Sequence, residues 1–467
     1  MQKRYDVIII GAGTAGLAAA KEVSRHTRNF LLLDRGPLGT TCARVGCMPS
    51  KALIEMAHGV HRSRLLQNMG IIQGYDEVDA ARVFARTRQL RDHFVQHVVR
   101  GIEAWDQNFR QGHARFIGPS TLRVDERHDL EAKSFIIATG SQPIIPADWP
   151  QNHPNIMTTD NFFEREDIPH KWAVVGLGPI GLELGQALSF LNLDVHGYDR
   201  EQRIGGLTDE ALNEKAADIM QRNLCLHRGQ PVNVEESEGQ LLLTAGDDRH
   251  TVHAVLAAMG RKPNLASLDL ANTGCTFDAQ GMPELDHETL AIRGLPIYMA
   301  GDVDRTQTIL HEAADEGCVA GYNATHEKPK KIVRRTPLNI VFTHPGIASV
   351  GVREAEHDQV VVGKASYEDQ GRAKIMGANQ GAVHVYVEAA SGRLIGADLI
   401  APEAEHLAHL LAWSIQSQLT AQEMLRLPYY HPTLEEGLRT AIRDASRQLS
   451  RPQTDVAVDY GYATPGP

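Results

Sequence analysis

A glycine-rich turn that occurs twice, each time between a predicted strand and a predicted helix, constrains this chain more than any other feature. Tyr5 to Ile10 reads as a buried parallel strand, and Gly11-Ala-Gly13-Thr-Ala-Gly16 follows it directly, ahead of the helix-like LAAAKEVSRH. The first glycine permits the tight turn, the second lets backbone approach a pyrophosphate, and the third lets the helix pack closely on the strand. The helix N-terminus then faces the phosphates. A second apolar strand, FLLL, leads to Asp34. The pattern reopens at Trp172 to Val175 with Gly176-Leu-Gly178-Pro-Ile-Gly181, a helix to about Leu191, a strand near Val195 and then Asp199. Asp34 follows Gly11 by 23 positions, and Asp199 follows Gly176 by the same 23. One glycine pattern is as readily an ordinary turn; two copies with one offset to an acid make the nucleotide reading specific.

The expected fold is therefore α/β, with two Rossmann-like dinucleotide-binding domains, one for FAD and one for NAD. Gly11, Gly13, Gly16 and Asp34 would serve the first cofactor, and Gly176, Gly178, Gly181 and Asp199 the second. A carboxylate at Asp199 would hydrogen-bond the adenosine ribose of NAD and repel the extra phosphate of NADP. Arg200 and Arg203 read as solvated charges, although either would accommodate that phosphate if the loop turned inward. Two further strand ends fit closure around FAD: Lys133 to Thr139, ending at Gly140, and Ile297 onward, ending at Gly301-Asp302. Thr139 joins them as a cofactor position, as does Gly260 in Gly260-Arg-Lys-Pro-Asn264.

A length of 467 residues exceeds one hydrophobic core and implies about three domains. A net charge of -11 argues against a nucleic-acid surface, which needs clustered Lys and Arg. The apolar start behind Lys3 and Arg4 is broken by Gly11, Gly13 and Gly16, so it reads as a cofactor loop rather than a secretory signal. No stretch offers the ~20 apolar residues of a membrane span, and a cytoplasmic protein is expected. The five cysteines, at 42, 47, 225, 275 and 318, do not make a secreted disulfide framework.

Only Cys42 and Cys47 are close, in Gly39-Thr-Thr-Cys42-Ala-Arg-Val-Gly46-Cys47-Met-Pro49-Ser50-Lys51. Side chains five positions apart diverge on a regular helix, so a bridge here needs an irregular turn, for which Gly46 supplies freedom and Pro49 an interruption. So small a loop suits a reducible bridge. A zinc half-site and two unpaired thiols are the rival readings, but Cys-x4-Cys lacks a second pair at ligand spacing, and no metal is expected. Among 22 histidines, His431 stands in Tyr430-His431-Pro432-Thr433-Leu434-Glu435-Glu436. There Pro432 suits the first turn of a helix and leaves the ring outside it.

The segment TCARVGCMPSKAL resembles the redox-active segment of the pyridine nucleotide-disulfide oxidoreductases, the family that contains dihydrolipoamide dehydrogenase, glutathione reductase and mercuric reductase. The resemblance extends over essentially the whole chain. It implies that Cys42 exchanges disulfides with substrate, that Cys47 lies against the flavin, and that Lys51 sits near the flavin paired with Glu183. His-Pro-Thr-x-x-Glu is similar to the family's acid-base signature. His431 would then be the base and Glu436 its partner, completing the other subunit's site in an obligatory homodimer.

The same resemblance divides the chain into an FAD domain over 1–145 that resumes over 266–334, an NAD domain over 146–265, an α+β dimerisation domain over 335–450 and a loose tail over 451–467. Pro49-Ser50-Lys51, Gly185 and Asp199 point to NAD-linked oxidation of a lipoyl-bearing carrier protein. A small disulfide, as in glutathione reductases, is the enzyme alternative, and a non-catalytic flavoprotein assembly subunit the alternative of another class. Mercuric-reductase chemistry is disfavoured because the last cysteine is Cys318. Thr40, Arg44, Tyr429 and Tyr430 depart from the family pattern along the expected substrate approach.

Overall fold

The computed structural model describes residues 4–74, 77–353 and 359–449; the expected tail at 451–467 lies outside them. The first nucleotide-binding unit opens with β1 (Arg4–Ile10), α1 (Thr14–Val23) and β2 (Phe30–Asp34). β1 is buried almost along its length because neighbours cover both faces, which is why its sequence is a continuous apolar run. The chain then leaves the sheet for α2 (Thr41–Arg44), α3 (Cys47–Asn68) and α4 (Ala80–Glu103) before returning at β3 (Phe109–Gln111). An antiparallel excursion, β4 (Ala114–Gly118) and β5 (Thr121–Val124), leads into β6 (His128–Ile137). Strand Ile297–Met299, β6, β1, β2 and β3 lie side by side, all parallel. The helix Leu310–Asn323 (α8) packs against α1.

β7 (Ser141–Pro143), β8 (Ile156–Met157) and α5 (Thr159–Phe162) carry the chain into the second unit. There β9 (Lys171–Val175), α6 (Pro179–Phe190), β10 (Asp194–Asp199), α7 (Glu210–Met220) and β11 (Cys225–Arg228) repeat the opening arrangement. An antiparallel sheet, β12 (Asn233–Ser237), β13 (Gln240–Ala245) and β14 (Asp248–Val252), precedes β15 (Ala254–Ala257). The main sheet runs β11-β10-β9-β15-β8, fully parallel. β16 (Arg261–Pro263) pairs back onto β7, tying exit to entry.

The C-terminal unit is a five-stranded antiparallel sheet covered by helices Ala404–Gln416 and Glu435–Gln448. Buried Val341, Ile347 and Ile400 join one core with Leu53 of α3 and Leu182 of α6, so this unit packs on both α3 and the second nucleotide unit. Asp209, which caps α7 through Leu212 N–H at 2.9 Å, also bonds the buried ring of His384 across that junction. Among the described residues no helix is long and apolar enough to cross a membrane.

Candidate active site

The two glycine loops have the same internal logic. Gly11 and Gly176 take φ of +108° and +97°, and a Cβ on them would lie 2.2 Å from the Ala138 carbonyl oxygen and 2.4 Å from that of Ala258. A Cβ on Gly16 or Gly181 would come 1.7 or 1.8 Å from the first glycine's own oxygen. On Gly13 or Gly178 it would meet nothing within 4 Å. The first and third glycines are thus demanded by the fold, and the second only by what occupies the open space. Gly13 and Gly178 are also N-caps without a capping side chain, so the first N–H groups of α1 and α6 keep their donors for a ligand.

A cavity of about 330 Å³ lies against Gly11, Gly13 and Asp34, and two of its wall residues carry buried atoms without hydrogen-bond partners, Arg44 Nε and Asn264 Oδ1. Donors, orphaned polar atoms and space together fit the nucleotide half of FAD. Arg44 therefore faces the nucleotide cavity and does not line the one holding the thiols, contrary to its expected place on the substrate approach.

Each strand-end acid has a further task. Asp34 accepts from Ala12 N–H and Gly36 N–H, both at 2.6 Å. Asp199 accepts from Leu177 N–H at 2.6 Å and Glu201 N–H at 2.9 Å. Each carboxylate fastens its glycine loop to the turn after the second strand. It retains lone pairs for a ribose, since each oxygen accepts more than one bond.

Cys42 and Cys47 lie on different elements. Cys42 is in α2, Cys47 is the first residue of α3, and Gly46 between them is the cap of α3. Gly46 breaks the helix as the sequence implies. Pro49 does not: it stands in the first turn of α3, where its missing N–H would have had no helical partner. Both thiols face a second cavity of about 280 Å³, which shares Gly13, Thr41, Val45, Gly140 and Arg261 with the first. The pair stands as two free thiols in contact. The hydrogen bond from Cys42, with the Lys51 ammonium and the Cys47 backbone N–H, pulls the Cys47 thiol down to about 6 against desolvation and the Glu183 charge. The same contact, with burial, pushes Cys42 up.

Lys51, one turn along α3, places Nζ 2.8 Å from Glu183 Oε2 on α6 and 4.5 Å from the Phe342 ring centroid. Glu183 is buried, and its other oxygen accepts from Phe342 N–H at 2.9 Å. The ion pair thus bolts α3, the second nucleotide unit and the C-terminal unit together at the cavity wall.

The expected closing segments form the facing wall. Thr139 Oγ1 donates to the Asn264 carbonyl at 2.8 Å, and Asn264 Nδ2 returns a bond to the Thr139 carbonyl at 3.0 Å. Gly140 and Gly260 both adopt positive φ at this junction. Ser141 Oγ donates to Asp302 Oδ2 and receives Arg261 Nε, each at 2.8 Å. Gly301 N–H donates at 2.6 Å to Glu316, a fully buried acid on α8 that also pairs with Arg334. Burial first, and then the Asp304 charge, push the Glu316 carboxyl up to about 7. Arg261, Ser141 and Glu316 were not singled out from the sequence. Arg261 was legible only as part of a boundary phrase, and nothing near Glu316 in sequence marks it.

His431 lies apart from this trough. Its Nδ1 is 3.1 Å from both Glu436 oxygens, its ring is exposed, and it lines neither cavity of its own chain. The helix begins only at Glu435, with Leu434 as cap, so Pro432 is not its first residue. Glu436 is instead in the first turn, where it also accepts from Thr433 N–H at 3.2 Å. Tyr430 is exposed, while Tyr429 stacks against Arg439, whose guanidinium lies 5.7 Å from the ring centroid.

Residues 5–317 match the family model described as pyridine nucleotide-disulphide oxidoreductase, and residues 338–442 match the dimerisation domain of the same family. A dihydrolipoyl dehydrogenase of Thermus scotoductus is 30% identical over 464 residues, covering 96% of this chain and 98% of that protein. A mercuric reductase of Staphylococcus aureus is 28% identical over 462 residues, 96% of this chain and 83% of that protein. The HOCl-induced flavoprotein disulfide reductase RclA of Escherichia coli superposes with a TM-score of 0.82 at 20% identity, over 94% of this chain and 99% of the other. With both nucleotide units and the C-terminal unit matched, the chain belongs to the pyridine nucleotide-disulphide oxidoreductase family, as an FAD- and pyridine-nucleotide-linked oxidoreductase with a C-terminal dimerisation domain.

Proposed function

We propose that the chain oxidises the dihydrolipoyl group of a carrier protein and reduces NAD⁺, through a disulfide that forms and opens between Cys42 and Cys47. The observation that carries this reading is the polarised thiol pair at the cavity wall, with Cys47 held toward the thiolate beside Lys51. In the substrate half-reaction, His431 of the partner subunit takes a proton from a substrate thiol at Nε2, the nitrogen turned away from Glu436. The substrate thiolate attacks Cys42 Sγ, the Cys42–Cys47 bond breaks, and Cys47 leaves as a thiolate. The second substrate thiol displaces Cys42 from the mixed disulfide; the imidazolium protonates the departing Cys42 sulfur, and the proton of the second thiol passes to solvent. Glu436 orients the ring and stabilises its cationic form. Bound FAD supplies two-electron transfer between the dithiol and the nicotinamide.

NAD rather than NADP is supported by the carboxylate of Asp199 at the second loop and by Arg200, whose side chain is 79% exposed. Initial rates with dihydrolipoamide, glutathione disulfide and Hg²⁺, each with the NAD and NADP couples, test the assignment. Highest kcat/KM with the lipoyl substrate and NAD is expected; preference for glutathione disulfide or Hg²⁺ would overturn it. Mixed dimers of His431→Gln and Cys42→Ser chains test the shared site: they should regain activity that neither parent has, because one site then holds both intact cysteines and the partner's histidine.

A further inference from the structure

Three histidines far apart in sequence converge on the second nucleotide unit, away from the redox trough. His196 on β10, His227 on β11 and His250 on β14 each offer a ring nitrogen, and the three atoms lie within 4.8 Å of one another. The parallel register sets His196 opposite Cys225 and Tyr198 opposite His227, so His196, Tyr198 and His227 project from one face of the sheet. The small antiparallel sheet packs on that face through Val234, Leu241 and Leu243 beside Tyr198, and its last strand brings His250 across. None of the three histidines lines either cavity described above.

The closest pair, His196 Nδ1 and His227 Nε2, is 3.2 Å apart. Two nitrogens bound at about 2.1 Å to one tetrahedral ion stand roughly 3.4 Å apart, so the rings already have nearly that spacing. Each distal nitrogen has its own partner. His227 Nδ1 faces Asp248 Oδ2 at 3.5 Å, His196 Nε2 faces Asp194 Oδ1 at 3.7 Å, and His250 Nδ1 meets the Tyr198 hydroxyl at 3.0 Å. An ionised carboxylate only accepts hydrogen bonds, so Asp248 draws the His227 proton outward and leaves a lone pair on its inward nitrogen, while Asp194, at 3.7 Å, favours the same orientation of His196 through its charge. Two lone pairs facing each other repel; a cation between them converts the repulsion into coordination. Without it, one ring has to change tautomer and turn a lone pair toward its carboxylate. A carboxylate or hydroxyl behind each ring is the arrangement that orients histidines on a metal.

We propose that His196, His227 and His250 bind a borderline first-row divalent cation, Zn²⁺ by preference, as three nitrogen donors with the fourth position open to water. Because two donors belong to the main sheet and one to the antiparallel sheet, the ion would clamp the two layers of this unit together.

The test uses the oxidised, FAD-loaded protein with its remaining thiols alkylated, so that cysteine cannot bind metal. Calorimetric titration with Zn²⁺, and elemental analysis after desalting, should give one Zn²⁺ per chain and a raised unfolding temperature of the loaded protein. His227→Gln and His250→Gln should each weaken binding by about a hundredfold, and Asp248→Asn by about tenfold. The Asp248 variant keeps all three donors and decides the matter if a histidine variant fails to fold. Absence of stoichiometric Zn²⁺ in the parent protein, or unchanged affinity in these variants, would overturn the proposal. Neither result depends on which disulfide the enzyme turns over.

Discussion

Thr40, two positions before Cys42, takes φ 58° and ψ 151°, a region that glycine occupies freely and other residues rarely do. Holding it there costs on the order of 1–3 kcal/mol. Its hydroxyl offsets part of that by accepting Ala43 N–H at 3.2 Å and capping α2, a contact of about 1 kcal/mol. The two effects separate by substitution. Thr40→Ala keeps the strain and loses the cap, so it should lower stability by about 1 kcal/mol. Thr40→Gly relieves the strain, loses only a few tenths of a kcal/mol in capping, and adds roughly 0.4–1 kcal/mol of unfolded-chain entropy. Its net effect should run from about zero to a gain of ~2 kcal/mol. The assay is urea unfolding followed by flavin release, with hydrogen exchange at Ala43 reporting the cap locally. An order of glycine above or level with threonine, and alanine lowest, is expected. Alanine equal to threonine with glycine below both would refute both the strained backbone and the cap.

Alkylation of the reduced protein should show a thiol ionising with a midpoint near pH 6 at Cys47. This thiol is lowered, so the reactive thiolate is present above the midpoint and lost as pH falls through it; Lys51→Met should move the midpoint upward, and an unmoved profile would count against the Lys51 contribution. Gly13→Ala should leave apoprotein stability intact but cut FAD content on purification, whereas Gly16→Ala, with its Cβ 1.7 Å from the Gly11 oxygen, should destabilise the fold itself. Asp199→Asn, able to accept through only one oxygen, should weaken NADH binding by roughly tenfold, about 1.4 kcal/mol, with FAD content unchanged; equal NADH affinity would deny Asp199 a part in the site.

The fold was legible where local chemistry and global architecture ask for the same residues. The strand, glycine loop, helix and acid of each nucleotide unit are contiguous, so their order alone implies a parallel α/β layer. Boundaries were less so: α1 starts at Thr14 and ends at Val23, short of the predicted His26, because the backbone closes with turns at Ser24 to Thr27 instead of a further helical turn. At Pro432 the local signal misleads, because a proline just ahead of a helix suits its first residue equally well. The chain in fact makes a bend there, and the helix begins three residues later, at Glu435.

The candidate site divides along a similar line. Residues acting through the backbone they belong to, such as Gly11 or Asp34, carry their signal in the sequence next to them. Residues acting through contacts at long separation do not. Lys51 and Glu183 are 132 positions apart, and only a family resemblance suggested their pairing; Arg261 reaches Ser141 across 120 positions. The histidine trio is the extreme case. Its members are spaced 31 and 23 residues apart, far from any ligand motif a helix or hairpin would impose. Their meeting depends on the parallel register of β10 with β11 and on the way the small sheet folds back over them. A sheet face assembles chemistry from residues that share a register, so a metal site of this kind becomes readable only once strand order is known.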